Sequence, residues 1–509
     1  MRVAMLILSA ALITTGIVSN AMGTTVTVDV KTSHQKISGF GTCSAWCGTL
    51  AASDGDLLWS TTKGAGLSLH RIQLQPTGVD QSETSNAKLA SSYGVKVWGT
   101  PWYCQNGVAV PGKGYDTLYE KDYQGWANVL AAAANTLKSA GAPLYAISSG
   151  NEIDLGWTKY DTTALKNWVG NYLGPTLASK APDTKLIGVE TCNWYGFPNY
   201  EKAFKGNAKA WQYSSILATH EYGGNPSAYP EIQAAGKEFW ETEIYDTDTK
   251  EDPGMGSALR IAKLINDALT IANMNAWHFW WIKESGADNG ALWDKGTNQP
   301  SKRLWIMGNW SRYVRPGFIR VDATTAPASG VTVTAFRDTL LSRVVIVAIN
   351  NNTSNTSQDF SLPGTTPLKL TPSITDPTRN LIEQPAQTLS STTFTYSLPA
   401  QSVTSLIVDL VATSLLPGNN AVAGRFSANQ VTCSKSTLKI AFTAPGSGLT
   451  SVKLFNLKGN LVKTETLQTI SGVTYSRNFD LSKIPLGFYL VKIENRGETI
   501  KTTKIVATK

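Results

Sequence analysis

A chain of 509 residues is longer than most single domains, and about two to four domains are expected. Hydrophobic residues make up 42% and charged residues 16%, which excludes a disordered polymer and provides for a large core. The net charge of +8 is a local matter: residues 411–509 hold 13 Lys+Arg against 4 Asp+Glu, leaving 32 against 33 elsewhere. A basic tail on a neutral body argues against a nucleic-acid partner.

At the N-terminus, Arg2, the apolar run Ala4–Val18 and the small-x-small site Ser19-Asn20-Ala21 predict a signal peptide over residues 1–21, hence export. The run is shorter than the roughly 20 residues a membrane span needs. Export permits disulfides. Five cysteines (Cys43, Cys47, Cys104, Cys192, Cys433) leave at least one thiol unpaired in a monomer, the state expected here. The four histidines are dispersed, and there is no HExxH and no CxxC. No metal site and no cofactor are expected.

A short segment, residues 22–35 with the run Thr25–Val30, precedes eight apolar runs over residues 36–316. The runs are Ile37–Gly41, Leu67–Leu74, Val95–Thr100, Leu144–Ser149, Lys185–Glu190, Ile216–Glu221, Glu238–Glu243 and Ala276–Trp281. Amphipathic stretches such as Asp122–Ala140, Thr163–Lys180 and Gly256–Ala272 lie between them. Eight strand–helix alternations predict an α/β fold, a (β/α)8 barrel. An open doubly wound sheet would want a glycine-rich phosphate turn after the first strand, and Gly39-Phe40-Gly41 is too short. Residues 317–410 turn β-rich and predict a side β-sandwich, which the early strand would join. Residues 411–428 read as a linker, and 429–509 as a further β-sandwich.

Barrel enzymes carry their reacting groups at the C-terminal ends of strands. The fourth run leads into Gly150-Asn151-Glu152, and the seventh ends Glu241-Thr242-Glu243. Two carboxylates opening on one mouth suit glycosidic cleavage, one protonated to help the leaving oxygen and one ionised to attack. Retention requires them about 5–5.5 Å apart. Alternation gives Glu241 and Glu243 the same facing, so position alone favours Glu243. Glu190 and Glu221 also end runs and compete. Asn151 beside the acid could hold a sugar hydroxyl. His220 could serve a carboxylate or a sugar, or fill core. Arg71, buried if the barrel forms, needs a carboxylate partner, and Glu243 is a reasonable one. Trp46, Trp102, Tyr103, Trp157, Trp194, Tyr195, Tyr222, Tyr245 and Trp281 cluster near strand ends. Packing would explain any one of them; together they suggest a sugar-stacking cleft.

With these residues laid out, the chain resembles glycoside hydrolase family 30, especially its bacterial xylanase and glucuronoxylanase branch. The resemblance lies in Ile37-Ser-Gly-Phe-Gly41 with Ala45-Trp46, Gly66-Leu-Ser-Leu-His-Arg-Ile72 and Leu144-Tyr-Ala-Ile-Ser-Ser-Gly-Asn-Glu-Ile-Asp154. It continues through Ile216-Leu-Ala-Thr-His-Glu-Tyr222, Trp240-Glu-Thr-Glu-Ile-Tyr245, Ser301-Lys-Arg303, Arg312-Tyr-Val-Arg-Pro-Gly317 and Pro399-Ala-Gln-Ser-Val-Thr404. It implies that Glu152 is the acid/base and Glu243 the nucleophile, with cleft roles for Trp46, Trp102, Asn151, His220 and Tyr222. Glu152 is then expected to be kept protonated by its ionised neighbour. The glucuronoxylanases resemble one another in an arginine pair after strand eight that grips glucuronate. Here the stretch reads Trp280-Trp281-Ile282-Lys283-Glu284, without an arginine, although Tyr245, which resembles another contact to that group, is kept. Lysine does not replace a bidentate arginine, and Glu284 would repel a carboxylate.

The expected activity is a retaining endo-β-1,4-xylanase acting on xylan or a related plant cell-wall polysaccharide, with weak or no dependence on glucuronate. Alternatives are a glucuronate-dependent glucuronoxylanase, another retaining enzyme such as a β-1,6-glucanase or a glucosylceramidase-like enzyme, and a non-catalytic polysaccharide-binding surface protein. The tail resembles the C-terminal sorting domain of type IX secretion in Val452-Lys-Leu-Phe-Asn-Leu-Lys-Gly459, Leu481-Ser482, Gly487-Phe-Tyr-Leu-Val-Lys-Ile493 and Lys504-Ile-Val506. It has no Trp, which disfavours a flat sugar-binding platform. The resemblance implies a secretion-machinery partner and a secreted or surface-attached enzyme.

Overall fold

The computed structural model describes residues 23–283, 289–339, 342–411, 430–434, 437–443, 448–457, 459–469, 474–481, 484–495 and 498–507. The expected signal peptide, residues 412–428 of the expected linker, and Glu284 lie outside the described residues.

Eight strands satisfy their backbone groups by parallel pairing. They are β1 (Gly39–Cys43), β2 (Leu69–Leu74), β3 (Lys96–Pro101), β4 (Leu144–Ser148), β5 (Lys185–Thr191), β6 (Ile216–Thr219), β7 (Glu238–Glu241) and β8 (Ala276–Trp281). They close in the order β6-β7-β8-β1-β2-β3-β4-β5. Parallel neighbours need crossovers, which helices such as Glu120–Ser139 and Met255–Thr270 supply. Alternate residues fill the bore: Leu69, Trp98, Ala146, Ile187, Ile216, Ala218, Trp240 and Ala276 form one buried cluster. The opposite faces send Ile72, Val97, Ile147, Phe239, Trp277 and Phe279 into a core shared with the helices. Helix Glu120–Ser139 meets that core with Tyr123, Trp126, Ala127, Leu130, Ala131, Ala134 and Leu137, a single helical stripe.

Two irregularities in the ladders matter later. In β5, Ile187 pairs with Ile216 but Val189 pairs with Leu217, so Gly188 is an extra residue. A Cβ there would lie 1.9 Å from Ser214 Oγ. This bulge lets Ile187 and Glu190, three positions apart, both face inward. Between β7 and β8 only Trp240 and Ala276 are in register, and the next bridge joins Ile244 to Phe279. The β7 side advances one residue more than its partner, a second bulge. Strands β6 and β7 therefore stop at Thr219 and Glu241, short of the expected Glu221 and Glu243.

The strand Val26–Asp29 pairs antiparallel with Ile319–Ala323 and parallel with Thr356–Ser361. It belongs to a ten-stranded sheet whose path runs through Val331–Arg337, Arg343–Asn350 and Ser402–Leu410. Val28, Val333, Ile346, Phe360, Leu370 and Leu406 share one core, so the path folds over on itself as a sandwich. Helix Lys302–Ser311 joins sandwich to barrel. Asn309 Nδ2 donates to Ser405 Oγ at 2.9 Å, and Ser405 Oγ donates to the Asn309 carbonyl at 2.6 Å. Arg303, at the start of that helix, is fully buried. It donates to the carbonyls of Ala291 and Asp252 and to Ser257 and Asn289.

The C-terminal unit has a three-stranded sheet and a four-stranded sheet, with Leu438, Ile440, Phe442, Val452, Leu454, Val491 and Ile493 in its core. No described helix is long and apolar enough to cross a membrane.

Arg303→Met would strand several buried acceptors, at about 1–3 kcal/mol each. We expect a clearly lower unfolding midpoint, with the barrel–sandwich junction exchanging amide hydrogens first. An unchanged midpoint would show that these bonds contribute nothing net.

Candidate active site

The two carboxylates reach the mouth by different devices. After β4 the chain turns sharply, with the Asn151 N–H donating to the Pro101 carbonyl at 2.8 Å. Glu152 then adopts φ 47°, a left-handed conformation that few non-glycine residues take. Trp46 (φ 58°) and Trp157 (φ 57°) do the same beside it, so strained backbone gathers at one place. Glu243 arrives by the bulge after β7. A carboxylate oxygen of Glu152 and one of Glu243 lie within 4.8 Å of each other.

Arg71 of β2 sits beneath both, with no exposure. Its guanidinium donates to Glu243, to Asn151 Oδ1 and, at 2.9 Å, to Glu190. It also lies over the Trp102 ring, 4.6 Å from the centroid. The expected partner Glu243 is thus one of two carboxylates; Glu190, considered only as a competing carboxylate, is turned inward by the β5 bulge. Thr100 Oγ1 donates to its other oxygen at 2.9 Å. His220 stands between three carboxylates, at 3.3 Å from Glu152, 3.4 Å from Glu190 and 3.9 Å from Glu243. Tyr222 donates its hydroxyl to Glu243 at 2.9 Å, and the Trp157 indole donates to Glu152 at 3.1 Å.

The charges follow from these distances. Burial opposes a charge on His220, but Glu243, Glu152 and Glu190 raise its pKa to about 10. Burial likewise raises Glu190, but Arg71 and His220 bring it down to about 2. With Arg71 and His220 positive and Glu190 negative, the cluster is neutral when one of Glu152 and Glu243 holds a proton. The expectation was that Glu152 holds it. In the free protein the surroundings act on the two carboxyls in different directions. Burial pushes Glu152 up, yet hydrogen bonding and charge from His220 outweigh it and leave the group below its ordinary value. Burial raises Glu243, and His220 and Arg71 offset this only in part.

The other carboxylates do not face the cleft. Trp240 points into the bore, so Glu241 points to the opposite side of the strand. Glu221 accepts from the Trp277 indole in the barrel–helix layer. Parity therefore separates Glu241 from Glu243 once the bulge is known.

Around the pair, Trp46 is half exposed. It stacks near Trp157 (6.2 Å, 28°) and meets Trp102, Trp280 and Trp281 edge-on. Tyr103 lies edge-on to Trp157. Tyr222 and Tyr245 pack together at 5.4 Å. Trp281 donates its indole N–H to the Ala45 carbonyl. Trp194 is a correction: it is 5% exposed and packs on Phe239 in the barrel–helix core, so it lines no cleft, while Tyr195 beside it is 76% exposed. Trp280 was missed, although it shares parity with the inward His278 and lies 5.7 Å from the Arg71 guanidinium. Asn151 Nδ2 is buried with no hydrogen-bond partner.

Glu152, His220 and Glu243 also offer ligand atoms close enough for a metal ion. Arg71 beside Glu243 and a proton on His220 oppose a cation there. Cys43, Cys47, Cys104 and Cys192 are free thiols. The side chain of Cys433 lies outside the described residues.

Comparison with known proteins agrees with this architecture. Residues 433–508 match the model of the secretion system C-terminal sorting domain. The glucuronoxylanase XynC of Bacillus subtilis (strain 168) is 30% identical over 401 residues, covering 75% of this chain and 92% of that protein. The glycoside hydrolase family 30 subfamily 8 xylanase Xyn30A of Clostridium acetobutylicum superposes with a TM-score of 0.68 at 31% identity, covering 76% of this chain and 99% of that one. A family 30 endoxylanase from Clostridium papyrosolvens C71 gives a TM-score of 0.67 at 30% identity, covering 76% and 100%. The chain belongs to glycoside hydrolase family 30.

Proposed function

We propose that the protein is a secreted endo-β-1,4-xylanase that cleaves by double displacement with retention. The observation that carries this reading is the approach of the Glu152 and Glu243 oxygens to within 4.8 Å. So close an approach is compatible with the separation of about 5–5.5 Å between the carboxyl groups of retaining enzymes. The xylanase relatives and the aromatic walls support xylan as substrate. The sorting-domain match supports export, with the cell surface as a destination.

In the first step Glu243 attacks the anomeric carbon, the glycosidic C–O bond breaks, and Glu152 gives its proton to the leaving oxygen. In the second, Glu152 takes a proton from water, the hydroxide displaces Glu243, and the acid is regenerated. Arg71 and Tyr222 hold the Glu243 carboxylate and bear its charge as it departs. We infer that the buried Asn151 Nδ2, which has no hydrogen-bond partner in the free protein, meets a sugar hydroxyl when substrate is bound. For turnover Glu152 must carry the proton: bound sugar excludes water from it, which favours its neutral form.

Selectivity toward glucuronate is read from Lys283. Its ammonium rests on both oxygens of Asp54 at 2.8 Å and over the Trp293 ring at 5.3 Å. It is therefore committed elsewhere, and no arginine follows it in the stretch to Glu284. We infer weak or no dependence on glucuronate.

Three outcomes test this reading. Glu243→Gln should abolish turnover with the fold intact, while Glu152→Ala should recover part of its activity with azide or an activated leaving group; wild-type rates in either would refute the roles. Glucuronoxylan and arabinoxylan should both be cut, at positions unrelated to glucuronate; cuts at one fixed spacing from each glucuronate would contradict the selectivity. His220 lowers both carboxyls, so removing its charge raises both. His220→Gln should therefore move both limbs of the kcat/KM profile to higher pH, and an unmoved profile would remove His220 from the proton balance.

A further inference from the structure

The bulge that delivers Glu243 interrupts the barrel wall. Between the register pair Trp240–Ala276 and the bridge Ile244–Phe279, strands β7 and β8 form no ladder pair. The backbone N–H groups of Glu243 and His278 fall in that gap, away from water. One side chain takes both. Glu241, with no exposure, accepts the Glu243 N–H on Oε1 at 2.7 Å and the His278 N–H on Oε2 at 2.7 Å. In return His278 Nδ1 donates to the Glu241 carbonyl at 2.8 Å. His278 is itself fixed, since its Nε2 accepts the Trp98 indole N–H at 3.1 Å. A Cβ at Gly41 would come within 2.4 Å of its ring.

We propose that Glu241 is a positioning residue for Glu243: its carboxyl replaces the missing ladder bonds and fixes the peptide from which the nucleophile projects. The proposal rests on the double-displacement reading. The arrangement suits a group lying directly behind a nucleophile. Burial, and then the nearby Glu221 carboxyl, push Glu241 well above the carboxylate range. Its two oxygens, each meeting one of the two N–H groups, span the gap between the strands and hold the side chain in one orientation. Hydrogen bonds made by a rigid buried acceptor also limit rotation about the 242–243 peptide, where an error of about 1 Å costs on the order of 100-fold in rate.

The test uses the full chain, a 2-deoxy-2-fluoro-xylobioside with an activated leaving group, and the variants Glu241→Met and Glu241→Gln. Met matches the length of Glu and accepts neither N–H. Gln has a single amide oxygen acceptor. Wild type should be labelled on Glu243, as located by peptide mass spectrometry; absence of that label would refute the double-displacement reading, not the positioning role. In the variants the maximal labelling rate should fall, on the order of 100-fold for Met and about tenfold for Gln, the equivalent of one hydrogen bond. The inhibitor concentration for half-maximal rate should stay within about twofold in both, because neither variant alters a group that meets the sugar. A folded variant labelled at the wild-type rate would overturn the proposal. So would failure of both variants to fold, because the carboxyl would then serve the barrel and not the nucleophile.

Discussion

The site depends on one buried cation. Arg71 carries a full charge in a place that excludes water, which is tolerable only if carboxylates meet it there. Two do, Glu190 and Glu243. The same fork takes the Asn151 side-chain oxygen, next to Glu152. One guanidinium on β2 thus ties together the ends of β4, β5 and β7. Aromatic faces at Trp102, Trp98 and Trp280 close over it and keep the field strong.

His220 adds the second positive charge, facing Glu152, Glu190 and Glu243 together. This is an economical way to run acid and base chemistry from two chemically identical side chains. Barrel regularity is given up where this cluster requires it. Gly188 adds a residue so that Glu190 turns inward, and the residue added after Glu241 turns Glu243 toward the mouth.

Much of this could be read in the sequence. The eight apolar runs and the helix stripes follow from periodicity, and periodicity is set by burial. Gly150-Asn151-Glu152 lies just past a strand, where a barrel keeps its chemistry. What periodicity could not supply was its own failure. Alternation gave Glu241 and Glu243 one facing, because an extra residue in a ladder leaves no mark on composition. Trp194 was placed in the cleft by its position after a strand, whereas the chain turns its ring back onto Phe239. Trp280 could have been found from its parity with His278. The charge balance was not legible, because it depends on how near an imidazole comes to Glu152, a distance of 3.3 Å that no spacing along the chain encodes.

Everything rests on two acidic side chains meeting one glycosidic bond, Glu243 at the anomeric carbon and Glu152 at the leaving oxygen. The stereochemistry of the newly released sugar reports on this directly. Proton NMR of a xylo-oligosaccharide digest, recorded before mutarotation, should show the β-anomer forming first. Initial release of the α-anomer would mean that a single water displaces the leaving group, and would contradict the account.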